Sequence, residues 1–164
     1  MKYTEYIEKI EKKLKRHFDI ERDYGYKDLQ IDLYAKYHIR NEKYMATKKI
    51  PIYAFENHEY CFIKYLDLLT EEKLKKFIEI LKLSVGDFVH PHSEHMSSVI
   101  TGVLVTDQEE DKKISNIVRK FKFHKSFAFG LKGWVDIRLI LVHLGNGDII
   151  TNKKGKEVSE VYKL

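Results

Sequence analysis

Apolar residues recur along this chain with two periods, and the periods alternate in a fixed order. Over residues 3–17, Tyr6, Ile7, Ile10 and Leu14 fall on one stripe of a 3.6-residue repeat, with lysines and glutamates around the remainder. The spacing predicts a helix that has to dock its stripe, because propensity alone leaves so short a helix marginal in water. Residues 18–24 predict a short strand ending at the turn signal Asp23-Tyr24-Gly25. Residues 29–39 then alternate. Leu29, Ile31, Leu33, Ala35, Tyr37 and Ile39 point one way, and Gln30, Asp32, Tyr34, Lys36 and His38 the other. That pattern predicts a half-buried strand with a polar outer face. Arg40 to Lys43 reads as a turn, 44–56 as extended chain marked by Pro51, and Asn57-His58 as a tight turn into a strand over 59–66. Strands joined this closely form an antiparallel meander.

The second half returns to the longer period. Thr70 is a good N-cap for a helix over 70–83, with Glu71 and Glu72 in the first turn and Leu74, Phe77, Ile78 and Leu81 as its buried stripe. Gly86 marks its end or the next loop. Val99 to Thr106 is apolar throughout, as a central strand would be. Residues 108–119 predict a third helix with Ile114, Ile117 and Val118 inward. Residues 121–129 alternate again, with Phe121, Phe123, Phe127 and Phe129 on one face. A strong strand over 134–144 turns at Gly145-Asn146-Gly147 into 148–151, and the lysine-rich end after Thr151 reads as frayed or an edge.

No repeat or Pro/Gly/Ser-rich linker divides the chain, so residues 1–164 read as a single α+β domain: a mainly antiparallel sheet with three packed helices in the order α-βββ-α-β-α-ββ. Across residues 3–144 this order resembles the restriction-endonuclease-like core. Composition agrees with a globule: 43% hydrophobic and 34% charged, rich in Tyr and Phe, with two prolines. Cys61 is the one cysteine, which excludes an intramolecular disulfide and thiolate zinc sites, and it reads as a small apolar strand residue. The N-terminal residues are charged, and no apolar run reaches the roughly 20 residues a membrane span needs. The expectation is a cytoplasmic protein with no membrane partner. A net charge of +5 permits contact with nucleic acid without requiring it.

Three segments carry candidate chemistry. In His90-Pro91-His92-Ser93-Glu94-His95, three of the eight histidines lie within six residues. In extended chain His90 and His92 project together, so His90, His92, Glu94 and His95 are candidate ligands for a divalent metal such as zinc. The string resembles the HxHxDH motif of metallo-β-lactamase-fold hydrolases with glutamate for aspartate. That resemblance implies His90, His92 and His95 as ligands and Glu94 as ligand or base.

Nuclease chemistry on the endonuclease-like core implies a strand acid beside a Glu-x-Lys pair. Asp32 sits on a strand's polar face, but the strands offer no Glu-x-Lys: Glu42-Lys43 is adjacent, and Glu59 is followed by Tyr60 and Cys61.

The segment Arg119-Lys120-Phe121-Lys122-Phe123-His124-Lys125 would set Lys120, Lys122 and His124 on one strand face. Arg119, Lys120, Lys122, His124, Lys125 and, further on, Arg138 are therefore candidate phosphate contacts. Arg138 alternates with Asp136 and would pair with it or hold an anion. Residues 92–98 together with 130–142 resemble an uncharacterised family of small prokaryotic proteins, a resemblance that brings no known activity with it. The leading expectation is a non-catalytic nucleic-acid-associated domain. The alternatives are a metal-dependent hydrolase centred on the histidine loop, and a structural protein that forms a homodimer.

Overall fold

The computed structural model describes residues 1–44, 51–92 and 95–164, with backbone alone for residues 39–44, 51–56 and Met96. Helix α1 spans Tyr3–Leu14, and its buried residues are the four of the predicted stripe. Three strands follow as a meander, β1 (Asp19–Tyr26), β2 (Leu29–Tyr44) and β3 (Pro51–Tyr65). Helix α2 (Glu71–Phe88) crosses to β4 (His95–Thr106), and helix α3 (Lys112–Lys120) crosses to β6 (Trp134–His143) by way of the three-residue β5 (His124–Ser126). Strand β7 (Ile149–Thr151) and two 3₁₀ turns close the chain. The sheet order is β1-β2-β3-β4-β6-β5, with β7 also on β6. The pairings β3–β4 and β4–β6 are parallel and the others antiparallel. The architecture is the expected α+β domain, with β4 central as its apolar run predicts.

Helix starts follow the capping chemistry. The Thr70 hydroxyl accepts from the Lys73 N–H at 3.2 Å. The Asp111 carboxylate accepts from Lys113 N at 2.7 Å and Ile114 N at 3.1 Å, so α3 begins at residue 112 rather than 108. Helix α2 runs past Gly86 to Phe88, with Val85 buried just before the glycine and the C-cap Val89 buried just after the last turn.

Four expectations are corrected. The stretches Arg40–Lys43 and Asn57-His58 are not turns: β2 and β3 pair from Leu33↔Ile63 to Lys43↔Tyr53, with His38 opposite His58. Backbone pairing, indifferent to side-chain polarity, carries the chain straight through both. Next, β2 has no solvated face over its core half. Leu33 and Ala35 pack under α1, while Tyr34, 5% exposed, packs under α2. Layers on both sides of the sheet bury both faces.

The run 121–129 is a strand for only three residues. Ala128 and Phe129 take positive φ (49° and 55°), which turns the chain and leaves Phe129 fully exposed. The C-terminal segment is packed rather than frayed. Tyr162 is buried, Tyr6 Oη donates to its carbonyl at 2.9 Å, and Lys13 Nζ donates to the Val161 carbonyl at 2.7 Å.

Candidate functional site

Strand β6 has two partners on its outer edge. β5 pairs along its first third (His124↔Asp136 to Ser126↔Trp134), and β7 along its last (Ile140↔Thr151 to Val142↔Ile149). Between them the edge opens into a cavity of about 370 Å³ lined by Arg119 to His124, Asp136, Ile137, Asn152 to Lys154 and Glu157. The side chain of Asn152 holds this gap in shape. Its Oδ1 accepts from Leu139 N (3.0 Å) and Gly155 N (2.8 Å), and its Nδ2 donates to the Ile137 carbonyl (3.0 Å).

On the α1-side face of the sheet a chain of polar contacts runs to this cavity. Arg138, 8% exposed, donates to Glu59 on β3 (2.7 Å) and to Glu157 (3.0 Å). Glu157 meets Lys154 (2.8 Å), Lys154 reaches Asp136 (3.7 Å), and Asp136 meets Nδ1 of His124 at 2.7 Å. Burial opposes the Arg138 charge, but Glu59 and Glu157 outweigh it, so the guanidinium is held above its ordinary value. Lys154 first, and Arg138 after it, hold the Glu157 carboxyl below the usual range. Asp136 and Arg138 thus do not pair with each other: each faces a different neighbour across the sheet.

The His124 ring meets the Asp136 carboxylate at Nδ1 and the Ser126 hydroxyl, 3.2 Å away, at Nε2; with Nδ1 donating to the carboxylate, Nε2 is the nitrogen left to accept. His124 remains half exposed while Asp136 is nearly buried. Arg119 pairs with Glu110 (3.0 Å). Lys120, Lys122 and Lys153 have no carboxylate partner among the described residues, and all three line the cavity. Lys125 projects elsewhere, with its ammonium 5.5 Å from the Phe127 ring centroid.

Sequence reasoning missed the far wall, Asn152 to Lys154 and Glu157, because a lysine-rich end carries no apolar periodicity. The usable signal was the buried Tyr162, the last aromatic in the chain.

The histidine loop is arranged differently. His90 is exposed and His92 partly so, and Glu94 lies outside the described residues. His95 is buried. Its Nδ1 meets the Lys132 carbonyl at 2.7 Å, and its Nε2 meets the Ser98 hydroxyl at 2.8 Å. Both ring nitrogens are therefore engaged. His38 and His58 come up beside it, Nδ1 to Nδ1 at 2.8 Å, brought together by a strand register that local sequence does not reveal. Among the described residues no three His, Cys, Asp or Glu side chains are arranged to hold a metal ion. Asp32 is drawn into the scaffold, accepting from Tyr65 N (2.7 Å), Tyr3 Oη (2.8 Å) and Lys64 Nζ (3.3 Å).

A second cavity, also of about 370 Å³, lies at the C-terminal ends of β4 and β6. It is lined by Leu69, Thr106, Gln108, Glu109, Asp111, Ile114 and His143. Two carboxylates, Glu109 and Asp111, stand in its lining without a lysine or arginine, whereas the first cavity is lined by five such cations and two carboxylates.

Fold and site together define an α+β domain with a mixed seven-stranded sheet and a cationic cleft at its β5–β7 edge. The chain belongs to a family described as a domain of unknown function, DUF8052, which matches residues 2–164. No curated protein and no solved structure matches it.

Proposed function

We propose that this protein binds nucleic acid, with the cleft between β5 and β7 as the phosphate-contacting site. One observation carries the reading: Lys120, Lys122 and Lys153 converge on a single cleft without carboxylate partners, beside Arg119, Lys154 and His124. Exposed lysines normally find an acidic neighbour or spread over a surface. Unpaired lysines lining one cleft repel, and a phosphodiester backbone relieves that repulsion while releasing its own counterions. Phe121 and Phe123 on the same wall add apolar surface against which a base can lie.

Fluorescence anisotropy with single- and double-stranded RNA and DNA, across a salt series, tests this. Binding should weaken as salt rises, and the double variant Lys120→Glu/Lys122→Glu should weaken it at least about tenfold, with a slope against log salt shallower by about 1.5. Failure of all four nucleic acids to bind at low salt, or equal binding by the double variant, rejects the proposal.

A further inference from the structure

We infer that the cleft cleaves RNA without a metal ion, using His124 as the general base that activates a ribose 2′-hydroxyl. The inference rests on the nucleic-acid reading and adds a reaction to it. Simple phosphate binding needs positive charge only; it does not need a carboxylate among the cations. Asp136 stands there nonetheless, nearly buried and 2.7 Å from Nδ1 of His124. The effect is to favour one tautomer and leave Nε2, on a residue that lines the cleft, as the basic nitrogen. A hydroxyl already meets that nitrogen: Ser126 Oγ lies 3.2 Å from it, long for such a bond and readily exchanged for a substrate hydroxyl. Four lysines, Lys120, Lys122, Lys153 and Lys154, line the same cleft. A base oriented by a carboxylate, with ammonium groups around it, is the equipment for transesterification at phosphorus.

The 2′-oxygen forms a bond to phosphorus as Nε2 takes its proton. The phosphorus–O5′ bond breaks, and the leaving oxygen receives a proton from a cleft ammonium. The products are a 2′,3′-cyclic phosphate and a 5′-hydroxyl. Solvent then returns His124 and the lysine to their starting states, and no electron acceptor is involved. His124 is the catalytic residue. Asp136 acts through it and is a positioning residue.

The full-length chain is incubated with end-labelled RNA, the matching DNA, and RNA bearing 2′-O-methyl groups throughout, all in excess chelator. Cleavage is followed by gel and mass spectrometry, and anisotropy is read in parallel. Cleavage is expected of unmodified RNA alone, leaving 2′,3′-cyclic ends. His124→Ala, purified identically, should lower the rate at saturating protein at least about 100-fold, so that a change in affinity does not enter the comparison. Asp136→Asn should lower kcat for cleavage while KM stays within about threefold, because the imidazole loses the partner that orients it at 2.7 Å. A purely structural aspartate would lower activity through unfolding, visible in circular dichroism, without a selective fall in kcat. Ser126→Ala should keep cleaving.

RNA that binds but stays intact overturns this inference and leaves the binding proposal standing. RNA that does not bind overturns both. Cleavage of DNA, cleavage abolished by chelator, or activity retained by His124→Ala also overturns it.

Discussion

Single side chains in this protein satisfy several backbone groups at once, and Asn152 is the clearest case. It has a donor and an acceptor in one rigid amide, matched to two N–H groups and one carbonyl that β6 and the final turns leave unpaired. Asn152→Ala strands all three in a site where Asn152 itself is 1% exposed. A buried polar group left without a partner costs about 1–3 kcal/mol. The variant should lose about 3 kcal/mol in urea denaturation, well beyond what removing one exposed amide would do. Cys61 is a simpler case: burial pushes its thiol up to about 12 and leaves a small apolar side chain, as its place in an apolar strand suggested. His95 was legible as part of a histidine cluster but not as a core residue. Its two partners, the Lys132 carbonyl and the Ser98 hydroxyl, depend on a strand pairing that no local pattern encodes.

Among the elements, the seat of α2 on the sheet is decided at Gly102 of β4. A Cβ built there would lie 2.3 Å from Leu81 Cδ1 and 2.8 Å from Phe77 Cε1, both on buried α2 residues. Two effects compete in Gly102→Ala. Removing glycine from a strand gains about 0.5–1 kcal/mol, and overpacking a filled core costs about 1–3 kcal/mol. Contacts this short settle the sign, so Gly102→Ala should destabilise, and Gly102→Val more so, in the same denaturation measurement. Helices were the most legible elements, because the α1 stripe and the Thr70 cap are local signals. Strand ends were less so. Tyr34 looked solvated only because alternation reports one buried face, whereas helices lie on both sides of β2. The candidate cleft was half legible: its β5 wall is a run of basic and aromatic residues, whereas its opposite wall is placed by the return of the chain along β6.

For the whole molecule, the abundance of tyrosine sets the response to alkali. Burial, first among the causes, holds the hydroxyls of Tyr3, Tyr6, Tyr26, Tyr34 and Tyr162 protonated well above their ordinary value near 10. Tyr65 is pushed up to about 12, mainly by its hydrogen bond to Asp107. Above pH 10 the unfolded chain releases these protons while the folded chain keeps them. The unfolded state then binds fewer protons, so stability falls as pH rises through that range. Titration with base should show the largest step in tyrosinate absorbance coinciding with loss of circular dichroism. Full tyrosinate absorbance reached before any loss of circular dichroism would contradict the burial of these rings. At the acid end Glu71, lowered to about 2 by Lys113 and then Lys75, favours the fold above its ordinary range, and that contribution is lost as pH falls toward 2.

The contact between Tyr6 and Tyr162 joins residues 156 positions apart. On a ribosome adding about 5–20 residues per second, the first of these joins the chain roughly 8–30 seconds before the second. Through that interval the amphipathic opening helix waits with part of its greasy side uncovered, a target for holdase chaperones until translation delivers the segment that seals it.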